Sequence, residues 1–388
     1  QLFPGSDQQA EIGPGYAVSA RLTLAQPLLQ GAGTRVGEAE VRTAKIERTR
    51  AVKAKDRVAS ELLRDVITAY WELWYAGEAV DIDTAARALA EKERKQQQSR
   101  IDAGAVPEVE IYPFVTRVAE LDEALLVSRM EKERRAMALG LQLGQPGARS
   151  RHLVTDDGAP PTPKLIDDQD ALVAEALSAA PELAEIDAQI AQAEEQKRTA
   201  GESERHRLDL TGWAQIEGLG NKNVPPAFEQ FATLGAFSAQ IGLVYQFPLT
   251  GSRYSLQNAA ARKAYEAAMA RRDALEQQIE NQLMVLVNQA NAATQRAKLA
   301  NKTVVTAEKQ RKAAKERFEL GDGLAIEIQR AEDTLRRAKL RAARARVDWA
   351  VAMTAIDHLT GRLLSRHSAF IPRSVGSPEI NGEGGGPF

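Results

Sequence analysis

Residues 22–33 read LTLAQPLLQGAG, and residues 242–253 read GLVYQFPLTGSR. Each is an alternating apolar stretch that meets a proline, a leucine and then a glycine. Pro27 and Pro248 end strands where no backbone donor is needed and the chain must swerve. Gly31 and Gly33 in the first copy, and Gly251 in the second, supply the corner. Each corner opens onto a helix-forming run of about 65–70 residues. The runs close on similar phrases, SRIDAGAVPEVEI (99–111) and ERFELGDGLAIEI (316–328). Arg100 matches Arg317, Gly104 matches Gly321, and Glu110 matches Glu327. A shorter return run then ends at Gly144 in one copy and Gly361 in the other. The chain is therefore two copies of strand, long helix, tight turn and shorter helix.

The helical runs are strongly periodic. Ile279, Leu283, Leu286, Ala290, Ala293, Ala297, Ala300, Val304 and Ala307 follow steps of four and three. So do Ile328, Ala331, Leu335, Ala338, Ala342, Ala345, Trp349, Ala352, Ile356 and Leu359. This is a heptad seam, and alanine along it lets backbones approach closely. The first copy carries two adjacent rows, Val58, Leu62, Val66, Tyr70, Leu73 and Val80 beside Leu63, Ile67 and Trp74. Two rows suit a helix with neighbours on both sides, as in the wall of a tube. At 1.5 Å per residue the long helices span roughly 100 Å, more than a globular core needs.

The strands alternate as clearly. Phe237, Ala239, Ile241, Leu243, Tyr245 and Phe247 share one face, opposite Ser238, Gln240, Gly242, Val244 and Gln246. Residues 208–217 and 18–25 follow the same rule, with Leu208, Leu210, Ala214 and Ile216, and Val18, Ala20, Leu22 and Leu24, on the apolar face. A soluble sandwich gives this pattern, and so does a membrane barrel with a wet lumen. Three strands are too few for a sandwich, and they run into coiled-coil helices, which favours the barrel.

Composition narrows the function classes. The 388 residues carry a net charge of −2 with 27% charged side chains of both signs, so no polyelectrolyte partner is expected. The basic run RRAKLRAARAR (336–346) keeps its apolar seam and has acidic neighbours, which reads as a solvated helix face rather than a nucleic-acid patch. There is no cysteine, hence no disulfide or thiolate metal site, and the four histidines are scattered. No apolar run approaches the roughly 18 residues of a membrane helix, but a barrel strand needs only about 9–11 alternating residues. No catalytic constellation is visible, and GAG (31–33) and GDG (321–323) lack the context of a phosphate loop. The chain opens on Gln1, so its start is not expected to be that of the gene product. No cofactor and no enzymatic activity are expected.

With the doubled corner, the R-x-x-x-G tips, VITAYWELWYAGEAV (66–80) and AAPELAEIDAQIAQAEEQK (179–197), the chain resembles the TolC-like outer-membrane efflux channels over roughly residues 16–365. The resemblance implies a mainly α protein with β strands. Long antiparallel coiled-coil helices would form an α-barrel joined to a transmembrane β-barrel shared by a homotrimer. It implies a passive exit duct of a tripartite efflux or type I secretion system, in the outer membrane of a Gram-negative bacterium and extending into the periplasm. Its partners would be a periplasmic adaptor, an inner-membrane pump indirectly, and outer-membrane lipid. The competing reading is a rod-like periplasmic coiled-coil scaffold with no pore.

On this resemblance the first repeat covers residues 1–144, an equatorial connector 145–167, the second repeat 168–361, and an equatorial or disordered tail, ending NGEGGGPF, 362–388. The short helix and strand that should open the first repeat are missing, so three copies would supply nine of twelve barrel strands. A trimmed N-terminus, with any lipid-anchor cysteine in the missing part, is expected. Glu110 and Glu327 match acids that line the family's closed entrance. Three subunits would set six carboxylates around one axis, where like charges repel. Arg100 and Arg317 are near enough to be counter-ions, and Arg330 stands where the family carries a second acid, which weakens the inner ring. Arg100, Gly104, Arg317, Phe318, Leu320 and Gly321 are the expected adaptor-docking residues of the tips.

Overall fold

The computed structural model describes residues 15–33, 37–145, 147–156, 158–220, 224–247 and 253–367. The corner expected at Pro248 and Gly251, and the tail from residue 368 on, lie outside the described residues. β1 (Tyr16–Pro27) precedes α1 (Ala39–Asp102), a 3-10 turn (Glu108–Ile111) and α2 (Tyr112–Gln142). A second 3-10 turn (Ala148–His152) precedes α3 (Gln169–Ala179) and α4 (Pro181–Ser203). Then come β2 (Arg207–Gly220), α5 (Val224–Ala232), β3 (Ala236–Gln246), α6 (Arg253–Glu319), α7 (Ala325–Leu359) and the short α8 (Arg362–Arg366). The expected mainly helical chain with three strands is what forms; α5, between the last two strands, was not foreseen.

The chain divides into two compact units. The first, residues 1–49 and 188–270, holds the sheet. β1, β2 and β3 pair in that order, antiparallel throughout. Their register decides which face is apolar. Ala20 sits opposite Ile216, which sits opposite Phe237; Leu22, Ala214 and Ala239 form the next row, and Leu24, Gly212 and Ile241 the one after. All three alternations fall in phase, so the apolar residues share one surface, where a slip of one residue would scatter them. On the opposite face Thr23, Trp213 and Gln240 line up, with the Trp213 Nε1–H donating to Gln240 Oε1 at 3.0 Å. The Arg21 guanidinium lies 4.2 Å above the Trp213 ring. Past Pro27 the ladder continues for a few residues, with Leu28 N–H donating to Leu208 O at 2.7 Å and Gln30 N–H to His206 O at 3.1 Å. Gly31 at φ 85° then makes the corner, a backbone setting that strains other residues.

The second unit, residues 50–187 and 271–388, holds most of the long helices. Its larger core joins α3, α4, α6 and α7 through Ala176, Leu183, Ile279, Leu283, Val287 and Ile356. A smaller cluster packs Leu73 of α1 on Ala136 and Leu139 of α2. The α6 seam is realised largely as spaced, with Leu283, Ala290, Ala293, Ala297 and Ala307 buried. Val58 and Leu62, at the start of the first-copy stripe, are instead half-exposed. The connector is ordered by specific bonds. Lys164 O accepts from Trp349 Nε1 and from Thr294 Oγ1, both at 3.1 Å. Asn291 accepts from Ile166 N at 2.8 Å and donates back to Ile166 O at 3.1 Å. Gly140 in α2 admits the Ser150 side chain at a point where a Cβ would collide with it.

Candidate functional site at the hairpin tips

Both long helices end the same way. In the first copy Gly104 takes φ 69°, its N–H donates to Ile101 O at 2.8 Å, and Ala105 N–H reaches back to Arg100 O at 2.9 Å. In the second, Gly321 takes φ 81°, its N–H donates to Phe318 O at 3.1 Å, and Asp322 N–H reaches Arg317 O at 2.9 Å. This is the glycine-terminated helix end in which two orphan carbonyls are satisfied at once. The matched residues Arg100 and Arg317 therefore hold equivalent places, each giving its carbonyl to the turn.

Their side chains diverge. Arg317 lies 3.5 Å from Glu327, and also donates to Asp322 O at 3.2 Å. Glu110, on the exposed 3-10 turn, is held by Gln97 Nε2 at 3.1 Å. Arg100 instead sits 5.4 Å above the Phe318 ring, across the two tips. Of the two expected counter-ion pairs, the geometry forms the second. Phe318 is half-buried against Phe114, with ring centroids 6.1 Å apart, so it knits the tips together from within. Leu320 is 85% exposed at the apex, and Arg330 lies exposed on α7.

Behind the tips lies a polar layer that the sequence did not announce. The buried residues of α1 include Ala76, Asp83, Ala90 and Gln97 at steps of seven, with Glu93 beside them. A heptad seam that carries acids and an amide faces α7. Asp83 pairs with Arg336 at 2.7 Å, and Glu72, further along, meets Arg344 at 2.9 Å. Arg117 of α2, itself buried, bridges to Asp333 and to Glu120. Glu93 and Glu332 are buried neighbours, and one carboxyl oxygen of each, Oε1, finds no hydrogen-bond partner. Burial pushes Glu332 up to about 8, with the neighbouring Glu93 charge adding to it; Arg117 and Arg311 oppose the rise. Burial raises Glu93 as well, against the bond to Glu332 and the charges of Lys315, Arg311 and Arg117. Two neighbouring buried carboxyls resist ionising together, because like charges side by side repel. A cavity of about 240 Å³ next to Glu332 is lined by Ile82, Leu89, Arg117, Arg311 and Lys339 among others.

The only available signal for the pair was positional. Glu332 stands four residues after Ile328 and three before Leu335, on the face of the seam. A second missed constellation joins Ser60 Oγ to His358 Nδ1 at 2.7 Å, and His358 Nε2 to Glu182 at 2.9 Å. Its order imitates a hydrolase relay. Ser60 is wholly buried in the middle of α1, however, and His358 is 2% exposed, so the network ties α1, α4 and α7 and admits no substrate. Burial works to raise Glu182, but the bond from His358 and the positive charges nearby leave it below the usual carboxylate value.

The architecture is mainly helical, with long helix hairpins and a three-stranded antiparallel sheet in one chain. Residues 172–362 match the family model described as Outer membrane efflux protein. The resemblance to TolC-like outer-membrane efflux channels, drawn from the doubled motifs, thus holds in sequence over most of the second repeat. In fold it holds over nine-tenths of the chain. The outer membrane protein VceC of Vibrio cholerae superposes with a TM-score of 0.67 at 16% identity, over 90% of this chain and 87% of that one. The Campylobacter jejuni CmeC outer membrane channel gives 0.64 at 13% identity, over 90% and 77%. The open-state MtrE outer membrane channel of Neisseria gonorrhoeae gives 0.65 at 14% identity, over 91% and 81%. A comparison with curated protein sequences gives no match.

Proposed function

We propose that the chain is one subunit of a homotrimeric duct through the outer membrane of a Gram-negative bacterium, extending into the periplasm. Its strands contribute to a shared barrel and its hairpins to a helical tunnel. The domain division is that of two repeats, 1–144 and 168–361, with a connector at 145–167 and a tail at 362–388. The duct is passive, serves a tripartite efflux or type I secretion system, and opens when its tips meet a periplasmic adaptor that links it to an inner-membrane pump. Glu110 and Glu327 form the gate, with Arg330 beside them. Leu320, at the apex, is the first residue an adaptor meets, while Arg100, Gly104, Arg317, Phe318 and Gly321 give the tip its shape.

The observation that carries this reading is the sheet. Its in-phase register leaves Leu22, Leu24, Ile241 and Leu243 between 64% and 83% exposed on one surface. A periplasmic scaffold would leave that apolar surface in water. Hydrocarbon covers it, and the opposite face, with Arg21, Gln215 and Gln240, suits a wet lumen. Strands of 11–14 residues have the length a tilted barrel strand needs. The test is single-channel conductance of the protein in a planar bilayer. A stable pore is expected, and its conductance rises in the double variant Glu110→Ala/Glu327→Ala. Absence of current, from a monomeric rod in solution, would point to the scaffold.

A further inference from the structure

α5 has no counterpart in the expected repeat, and its position is defined. A Cβ added to Gly218 would run into the Ala227 carbonyl oxygen, so the helix lies directly on β2 at that point. Gly218 pairs with Val18 and precedes Leu219 by one residue, which puts it on the same face as Ile216, Ala214 and Leu210. α5 therefore lies across one end of the apolar surface, not over the polar one. Ala227 is fully buried against the strand, and Gln230 Oε1 accepts from Leu219 N at 2.9 Å, pinning the helix there.

Apart from Glu229, the outward-facing residues of the helix are apolar. Phe228 is 60% exposed, Val224 49% and Leu234 58%. Phe228 and Phe231 stand 6.2 Å apart by ring centroids. Glu229 is its one charged side chain. Leu234 is more telling still. It follows the helix in the left-handed region, at φ 56°, the only non-glycine among the described residues to do so. That setting costs roughly 1–2 kcal/mol for a residue with a Cβ, and glycine usually takes it. Here a leucine holds it and projects an exposed apolar side chain beyond the helix. At the opposite end of the same surface, Tyr245 and Phe247 cluster with His206, Tyr245 and Phe247 having centroids 5.4 Å apart. Aromatic side chains thus mark both limits of the apolar surface, as they do where protein crosses a lipid–water boundary.

We propose that α5 is an interfacial helix: it caps the far rim of the apolar sheet and inserts Phe228, Val224 and Leu234 into the lipid at the level of the headgroup–acyl boundary. The inference rests on the membrane reading of the sheet given above. Its partner is the bilayer itself, because the apolar surface that α5 prolongs is the one that faces hydrocarbon.

The chain has no cysteine, so single nitroxide labels can be placed cleanly. The variants are Phe228→Cys, Leu234→Cys, Ile241→Cys and Gln240→Cys, all at exposed positions, in the full chain reconstituted into phosphatidylcholine/phosphatidylglycerol vesicles. The readout is collision with oxygen, which concentrates in lipid, against a water-soluble nickel chelate. The labels at 228 and 234 should favour oxygen about threefold more than the label at 240, and less than the label at 241. If 241 lies in lipid while 228 and 234 behave like 240, the helix is a solvated cap and the proposal fails, with the barrel intact. If 228 and 234 are shielded from both reagents, protein covers α5 and the lipid assignment is wrong. If 241 is itself exposed to nickel, the membrane reading of the sheet falls, and this inference with it.

Discussion

Near the connector the long helices meet mostly through carbon; behind the tips, carbon contacts such as those of Phe114, Leu121 and Ile328 are interleaved with buried charge. Around the connector, Leu283, Val287, Ala290 and Ile356 are at most 1% exposed and lock into α3 and α4. Behind the tips, the contacts of α1 and α2 with α7 include the buried charged groups Asp83 with Arg336, Arg117 with Asp333, and Glu93 near Glu332. The difference is physical. Close-packed carbon has one good arrangement, and its energy hardly depends on solution conditions. A buried charged layer is stable only while every partner and proton is in place, so its free energy moves with pH and with neighbouring charges. The same pair of hairpins is fixed at one level and adjustable at another.

The largest effect expected from breaking this contrast is at the fixed level. Leu283→Ala should lower unfolding free energy by about 3–5 kcal/mol, read by denaturant titration, since the site is fully enclosed. A change there that leaves stability untouched would mean the carbon core does not anchor the hairpins.

Next comes the proton at the adjustable level. Glu332 sits at about 8 when folded, against about 4.3 in an unfolded chain. Its contribution to stability is therefore complete below the unfolded value and is lost as pH rises through about 8. Facing it are Glu93, Arg117, Arg311 and, next to Glu93, Lys315. Once corrected for base-catalysed intrinsic exchange, amide protection at the tips should fall between about pH 5 and 8 in the native chain and change little in Glu332→Gln, while corrected protection around Leu283 should not respond in either. Equal pH response at both levels would erase the distinction.

Two smaller effects compare the tips with each other. Gly321→Ala and Gly104→Ala should each cost about 1–2 kcal/mol, because both positions need positive φ. The smallest effect should come from Arg317→Ala, which removes a half-exposed pair with Glu327 worth less than about 1 kcal/mol. Arg100→Ala, which breaks no carboxylate pair, should leave channel conductance nearer the native value than Arg317→Ala does. The reverse ranking would argue that both arginines serve only the turn.

Much of the fold was legible because it repeats. Strand alternation, the glycine stops at 104 and 321, and the α6 seam are local patterns with a fixed period, and they survive in the structure as spaced. What escaped the sequence depended on contacts between distant segments. Nothing near Glu93 in the chain says that Glu332 will face it, 239 positions later. Proximity in sequence pairs Arg100 with Glu110, but the turn carries its guanidinium over Phe318 of the other tip instead. α5 escaped because a nine-residue helix with two prolines at its start reads as a loop.

The connector's attachment has a consequence for how this segment can vary. Lys164 and Ile166 are grasped by their peptide groups, which every residue carries, while Trp349, Thr294 and Asn291 do the grasping. The Lys164 side chain plays no part in that grip. Drift at exposed Lys164 is thus cheap, whereas Ile166, whose side chain also packs on the larger core, and the gripping helices are constrained: much of the loop's path is inscribed in its neighbours rather than in its own letters.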